Sequence, residues 1–203
     1  MAYIFSFFFP TLLLLLLMQS VVHWFGKTFS KKWWLTVLLG IASIVVVIVP
    51  VGGLPLGRWL TGLNANFSIP LTVVLFDKVW QNARGKSLLG PERRTPLGFW
   101  IYGAVTGLAL YPMALGLGPF DPYALGWHFS FLFALFLVLT VFLLYRRNSL
   151  GIVLMLCILS YNLHILESRN LWDYFIDPIF AIVSIAALLR DLVKAPKAQA
   201  DTE

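Results

Sequence analysis

Leu60-Thr-Gly-Leu-Asn-Ala-Asn-Phe-Ser-Ile-Pro-Leu-Thr-Val-Val-Leu-Phe-Asp-Lys-Val-Trp80 is the stretch on which the architecture turns. It is apolar enough to be drawn into lipid, yet Asn64, Asn66, Ser68 and Pro70 weaken it. It reads either as a membrane span or as a re-entrant segment that returns to the side it left. A helix rising 1.5 Å per residue needs about 20 apolar residues to cross a hydrocarbon core of roughly 30 Å. Whether this stretch crosses fixes the side on which every later loop lies.

Six further apolar runs surround it: Tyr3–Val22, Trp33–Val51, Leu97–Leu117, Trp127–Tyr145, Ser149–Ile165 and Leu171–Leu189. If Leu60–Trp80 crosses, the chain has seven spans, and 13 of its 15 basic residues fall on one side. Only Arg58 and Arg169 remain on the other. If it does not cross, that segregation collapses. Positive charge accumulates on cytoplasmic loops, so the rule selects seven spans with the N-terminus outside and the C-terminus inside. The expected fold is therefore all-α, a polytopic integral membrane helical bundle of about seven transmembrane helices. It forms a single transmembrane domain over 1–193, followed by a short disordered cytoplasmic tail over 194–203.

Composition agrees. The 203 residues are 60% apolar and 12% charged, with a mean hydropathy of +0.85, whereas a soluble domain carries about 25% charged residues. The net charge of +6 follows from topology and does not imply nucleic acid, since no basic stripe is interleaved with stacking aromatics on a polar scaffold. Membrane lipids are the expected surroundings, with a membrane protein or a second copy of the chain as partner. The expected location is a plasma membrane of the bacterial inner type, multi-pass. The first run lacks a basic n-region and a small-residue cleavage site, so it reads as an uncleaved span. A lone Cys157 forms no internal disulfide or cysteine cluster and reads as a small core or lipid-facing residue. Gly103, Ala104 and Gly107 offer a close helix approach.

Sorting polar residues by side is the most informative step. The outer side collects Arg58, Asn64, Asn66, Asp121, His128, His164, Glu167, Arg169, Asn170, Asp173 and Asp177, a face net negative by about two charges. Much of it lies in His164-Ile-Leu-Glu-Ser-Arg-Asn-Leu-Trp-Asp-Tyr-Phe-Ile-Asp-Pro178. Asp177-Pro178 is a good helix start, with Asp as N-cap and Pro in the first turn. Such a helix must run past Arg190 and Asp191 to span. If it starts instead near Leu171, Asp173 and Asp177 share one face as carboxylates within the bilayer's outer part, where ionisable groups face a partner or a water-filled cavity.

His164 and Glu167, spaced i,i+3, share a face if that segment is helical. Together with Asp173 and Asp177 they form the candidate acid–base or metal set. Arg169, Asn170, Asp121 and His128 are the candidate ligand-binding residues, although Asp121 in Gly118–Tyr123 also suits a turn. The sequence names no cofactor, and no HExxH or HxxxH pattern specifies a metal. Arg169 is expected to pair with Glu167 or Asp173, and Asp77 with Lys78. Asn66-Phe-Ser68 matches a glycosylation sequon but lies too near the membrane to serve as one. Gly85-Lys86-Ser87 lacks the earlier glycine of a phosphate loop, and the seventh run lacks the lysine a retinal Schiff base needs.

Three functions fit. The first is an accessory or binding module using the polar, net-acidic extracytoplasmic face. The second is an enzyme acting there on a lipid or lipid-linked substrate. The third is a small ion-coupled transporter using Asp173 and Asp177. If Asp177 is functional, Asp177→Asn is expected to impair function without lowering melting temperature.

Overall fold

Six consecutive leucines, Leu12–Leu17, build the first long helix. In the computed structural model, which describes residues 2–25, 33–90 and 94–200, a short α1 (Ala2–Phe5) leads into α2 (Phe8–Trp24). Next come α3 (Trp33–Ile48) and a tight hairpin of β1 (Pro50–Val51) and β2 (Leu54–Pro55). Gly52 and Gly53 turn that hairpin with φ of 60° and 85°, values that glycine adopts without steric cost. The chain continues through α4 (Leu56–Trp59), a 3-10 turn (Leu60–Gly62), α5 (Ile69–Arg84) and α6 (Arg94–Ala114). A second 3-10 turn (Pro122–Gly126) precedes α7 (Phe131–Tyr145), α8 (Ser149–Asn162), the one-turn α9 (Trp172–Phe175) and α10 (Pro178–Ala200). The described chain is thus a helical bundle with one miniature hairpin.

Small residues set the closest contacts. A Cβ on Gly103 would run into Ser184 and Phe180 of α10, and one on Gly107 into Ala181. These glycines let α6 and α10 lie side by side, as the sequence suggested. Gly151 likewise brings α8 onto the backbone of Leu143 and Leu144 at the end of α7. The core is aromatic: Phe99, Tyr174, Phe175 and Phe180 are fully buried, and Phe136 stacks on Phe175 with ring centroids 3.9 Å apart. Cys157 is buried among them.

By length and composition, two stretches can cross a membrane: Ala2–Trp24, of 23 residues, and Leu97–Ala114, of 18. Trp33–Ile48, Phe131–Tyr145 and Ser149–Asn162 are apolar but shorter.

Three sequence expectations are corrected. Leu60–Trp80 is not one helix: helix begins only at Ile69. Ser68 caps it through its side chain and Pro70 sits in the first turn, while Asn64 and Asn66 occupy the irregular chain ahead. Leu171–Leu189 is not one helix either. Ile176 is extended (φ −152°, ψ 145°), which separates α9 from α10, so Asp173 and Asp177 share no helical face. The last helix then runs from Pro178 through Ala200. Asp77 does not pair with Lys78. It accepts hydrogen bonds from Ser87 Oγ and the Leu88 and Leu89 amides, pinning the loop after α5, while Lys78 donates to Gln81. Of the thirteen residues assigned to the cytoplasmic side, Lys27, Lys31, Lys32 and Arg93 lie outside the described residues.

Candidate functional site

Two helices begin side by side around one carboxylate. Asp177, only 2% exposed, precedes Pro178 and accepts through Oδ1 from the Ile179 amide (2.9 Å), the Phe180 amide (3.0 Å) and Asn64 Nδ2 (3.3 Å). Its Oδ2 accepts from the Ser68 amide (3.0 Å) and Ser68 Oγ (2.5 Å). Asp177 therefore caps α10 and clamps the residue that caps α5. The positive ends of two helix dipoles and five donors compensate its charge in place of a basic side chain. Burial pushes its carboxyl above the usual carboxylate range, against the pull of Ser68 and the two first-turn amides.

Asp173 lies nearby in α9 but is only half-buried. Tyr123 Oη donates to both of its oxygens at 3.0 Å. Tyr123 is placed by the 3-10 turn that Asp121 caps, Asp121 Oδ1 accepting from the Tyr123 amide at 2.9 Å. Burial raises the Asp173 carboxyl, with bonds from Ser168 and Tyr123 opposing the rise. Burial and the adjacent Asp173 also raise the Tyr123 phenol, which therefore stays a donor. Asn64, Asn66, Tyr111, Tyr123, Asp173 and Asp177 line an open cleft of about 390 Å³, within the size range of small-molecule sites. Among the described residues, no basic side chain lines it.

A raised folded-state carboxyl has a definite consequence for stability. Its contribution is greatest below the unfolded value near 4 and falls as pH rises through the raised value. Asp173→Asn removes that slope while still accepting from Tyr123. Its melting temperature relative to the parent should therefore climb as pH rises from about 4 through the raised value. Parallel melting curves across that range would contradict the assignment.

The remaining sequence candidates disperse. The helix of α8 ends at Asn162, and His164 turns away with φ 50°. Its Nδ1 lies 2.8 Å from the Tyr161 carbonyl oxygen, on an exposed surface. His164 and Glu167 thus share no helical face. Glu167 meets Arg58 at 2.5 Å, and Arg58 also donates to Ser6 Oγ and lies over the Tyr3 ring. The expected partnership of Arg169 is corrected. Arg169 is exposed and forms no ion pair among the described residues. Arg58, brought over by the hairpin and α4, takes the place expected of it.

The expected order of charge-reversal effects inverts accordingly. Arg58→Glu sets two acids together and should lower the melting temperature by a few degrees, because a part-exposed pair contributes about 1 kcal/mol and its repulsive replacement a similar cost. Arg169→Glu should have little effect. A larger loss at Arg169 would show that the Arg58–Glu167 pair carries no weight.

Asn170 is scaffold. Fully buried, it accepts from the Trp172 amide, donates to the Tyr123 carbonyl through Nδ2, and lies against Gly126. The Leu171 amide and Trp172 Nε1 donate to the carbonyls of Gly126 and Pro122, so 170–172 is bolted to the 3-10 turn. His128 is exposed beyond that turn.

Among the described residues, no three His, Cys, Asp or Glu side chains gather where they could hold a metal ion. Ser68, Tyr111 and Tyr123 belong to the site although sequence reasoning passed over them as site residues. Ser68-Ile-Pro70 is a helix-start signal that could have placed Ser68, whereas the two tyrosines look like ordinary interfacial aromatics. A second buried network sits at the other end of α5. Gln19 donates to Thr36 Oγ1 and the Val79 carbonyl and accepts from Asn82, which ties α2 to α3 and α5.

No family model matches this chain, and neither curated proteins nor solved structures give a significant match.

Proposed function

We propose that the chain is a multi-pass integral membrane protein, N-terminus outside and C-terminus inside, that serves as a binding module through the cleft at its extracytoplasmic end. The observation that carries this reading is the cleft itself. Two acidic side chains, two amides and two phenols meet at one end of an otherwise apolar bundle. The same end holds Arg58 and Arg169, while Arg84, Lys86, Arg146 and Arg147 follow the opposite helix ends, in keeping with the positive-inside rule.

The outer surface supports the membrane placement. Ile41, Ile44 and Ile48 of α3 and Leu135, Val138 and Phe142 of α7 are each more than half exposed, and apolar area on that scale calls for a lipid or protein covering. Trp24, Trp33 and Trp34 are exposed at the end of α2 and the start of α3, with Arg84 over the rings of Trp33 and Trp80, as suits a membrane interface. A bacterial inner membrane is the setting this architecture suits.

Binding is favoured over catalysis because His164 and Glu167, half of the acid–base set, leave the cleft. It is favoured over ion-coupled transport because both aspartates sit at helix starts, toward one surface of the bundle, whereas coupling sites lie near the midplane. Spin labels test the reading. A label at Val138→Cys should collide with dissolved oxygen and be shielded from a water-soluble nickel chelate, and one at Ala65→Cys, in the cleft, should show the reverse. Chelate access at both sites would remove the membrane, and chelate exclusion at Ala65 would close the cleft.

A further inference from the structure

Resting on the binding cleft just described, we propose that its ligand is a primary ammonium group on a small apolar body, held by the Asp173 carboxylate, Asn64 Oδ1 and the Tyr111 hydroxyl. The cleft is rich in acceptors, beside which the Asn66 amide nitrogen and the Tyr111 hydroxyl are unbonded donors among the described residues. Asn64 spends its amide nitrogen on Asp177, which leaves its carbonyl oxygen with no protein donor among the described residues. Tyr111 lines the cleft, and its hydroxyl has no protein partner among them either. Among the described residues Asp173 is met by a neutral phenol and a serine, and none of those residues sets a countercharge in the lining. An R–NH3⁺ group has three donors and no acceptor, the complement of these three acceptors.

The geometry disfavours a bare metal ion. All of Asp177's capacity is taken by five protein donors, which leaves one available carboxylate. A divalent ion bound by oxygens takes six or more ligands, and a cleft of about 390 Å³ far exceeds the space of one dehydrated ion. Ala65, Ala114 and Pro178 supply the apolar wall against which a short alkyl body packs. Anionic ligands are disfavoured by both aspartates. Two sources of this chemistry exist: a free alkylamine, or the aminoethyl headgroup of a lipid in the outer leaflet.

The test uses the full chain in nanodiscs of phosphatidylcholine and phosphatidylglycerol at pH 7, titrated calorimetrically with hexylammonium, hexyltrimethylammonium and hexanoate. Saturable binding of hexylammonium is expected, with at least tenfold weaker binding of the trimethyl analogue, which has no N–H, and none of hexanoate. Asp173→Asn should abolish it, and Tyr111→Phe should weaken it about fivefold with melting temperature unchanged. Adding phosphatidylethanolamine separates the sources. Competition with hexylammonium assigns the lipid headgroup, and undiminished binding assigns a free amine; either supports the ammonium site. Equal binding of the trimethyl analogue, or hexylammonium binding unaffected by both substitutions, overturns the proposal. So does absence of hexylammonium binding in every nanodisc; if Ala65 remains chelate-accessible, the cleft survives and only its ligand is wrong.

Discussion

Asp177→Ala is expected to lower the melting temperature of the detergent-solubilised protein by about 10 °C, the largest effect of any single substitution at the site. Alanine strands five donors, three of them backbone amides at the starts of α5 and α10. A buried donor left unmet costs about 1–3 kcal/mol, and partial entry of water brings the sum to roughly 4 kcal/mol. At about 2–4 °C per kcal/mol for a chain of this size, the shift follows. Asparagine should not rescue it, contrary to the expectation from sequence. Asn caps an isolated helix about as well as Asp, but here Oδ1 and Oδ2 both accept, so an amide nitrogen on either side confronts a donor. Asp177→Asn should recover less than half of the loss. Ser68→Ala should cost less in the Asp177→Ala background than in the parent, because the two share a bond. Additive losses, or an Asn variant as stable as the parent, would show that Asp177 caps α10 alone.

Gly126→Ala should cost about 3 kcal/mol, roughly 8 °C, a severe outcome for one methyl group. The added Cβ would overlap the Asn170 side chain and press on Trp172, evicting the amide that holds the 3-10 turn to the segment carrying Asp173. Alkylammonium binding should fall with it, since Tyr123 and Asp173 lose their common mount. In an Asn170→Ala background the same substitution should cost less, because the nearest obstructing group is gone and only Trp172 must give way. Gly98→Ala is the control. Open space surrounds that Cβ, and alanine is the better helix former by up to about 1 kcal/mol, so stability should hold or rise. Equal tolerance at both glycines would mean that Asn170 is not the fixed point described.

Periodicity-free apolar runs are enough to read a helical bundle from this sequence, because nothing else buries so much hydrocarbon. The Gly103 and Gly107 contact was legible for the same reason: small residues on a long helix leave room for a neighbour. The site was legible only as a list of polar residues on one side. Which of them meet depends on where two helices break, and hydropathy alone fixes neither break: Asn64, Asn66, Ser68 and Pro70 weaken the first stretch without locating its helix start. Leu171–Ile176 is largely buried and apolar, yet its helix stops after the single turn Trp172–Phe175 at the extended Ile176; Gly126 and Asn170 take up the Leu171 and Trp172 amides and Pro122 the Trp172 indole. That long-range bonding leaves no trace in local sequence. Arg58 was assigned no partner for a similar reason. Its meeting with Glu167, 109 residues away, is set by the hairpin's turn and not by any spacing. Asp177 was readable as a cap from Asp-Pro alone, but its second helix was not, since nothing near Ser68 announces a distant carboxylate.

Side-specific labelling of single cysteines in intact cells tests the central claim most directly. In a Cys157→Ala background, Ala65→Cys sits in the cleft and Lys86→Cys follows the other end of α5. A membrane-impermeant maleimide should modify the cysteine at 65 from outside, and alkylammonium should slow that reaction. The cysteine at 86 should react only after the membrane is opened. Labelling at 86 but not 65 in intact cells would invert the topology, and labelling at both before permeabilisation would contradict a membrane between them.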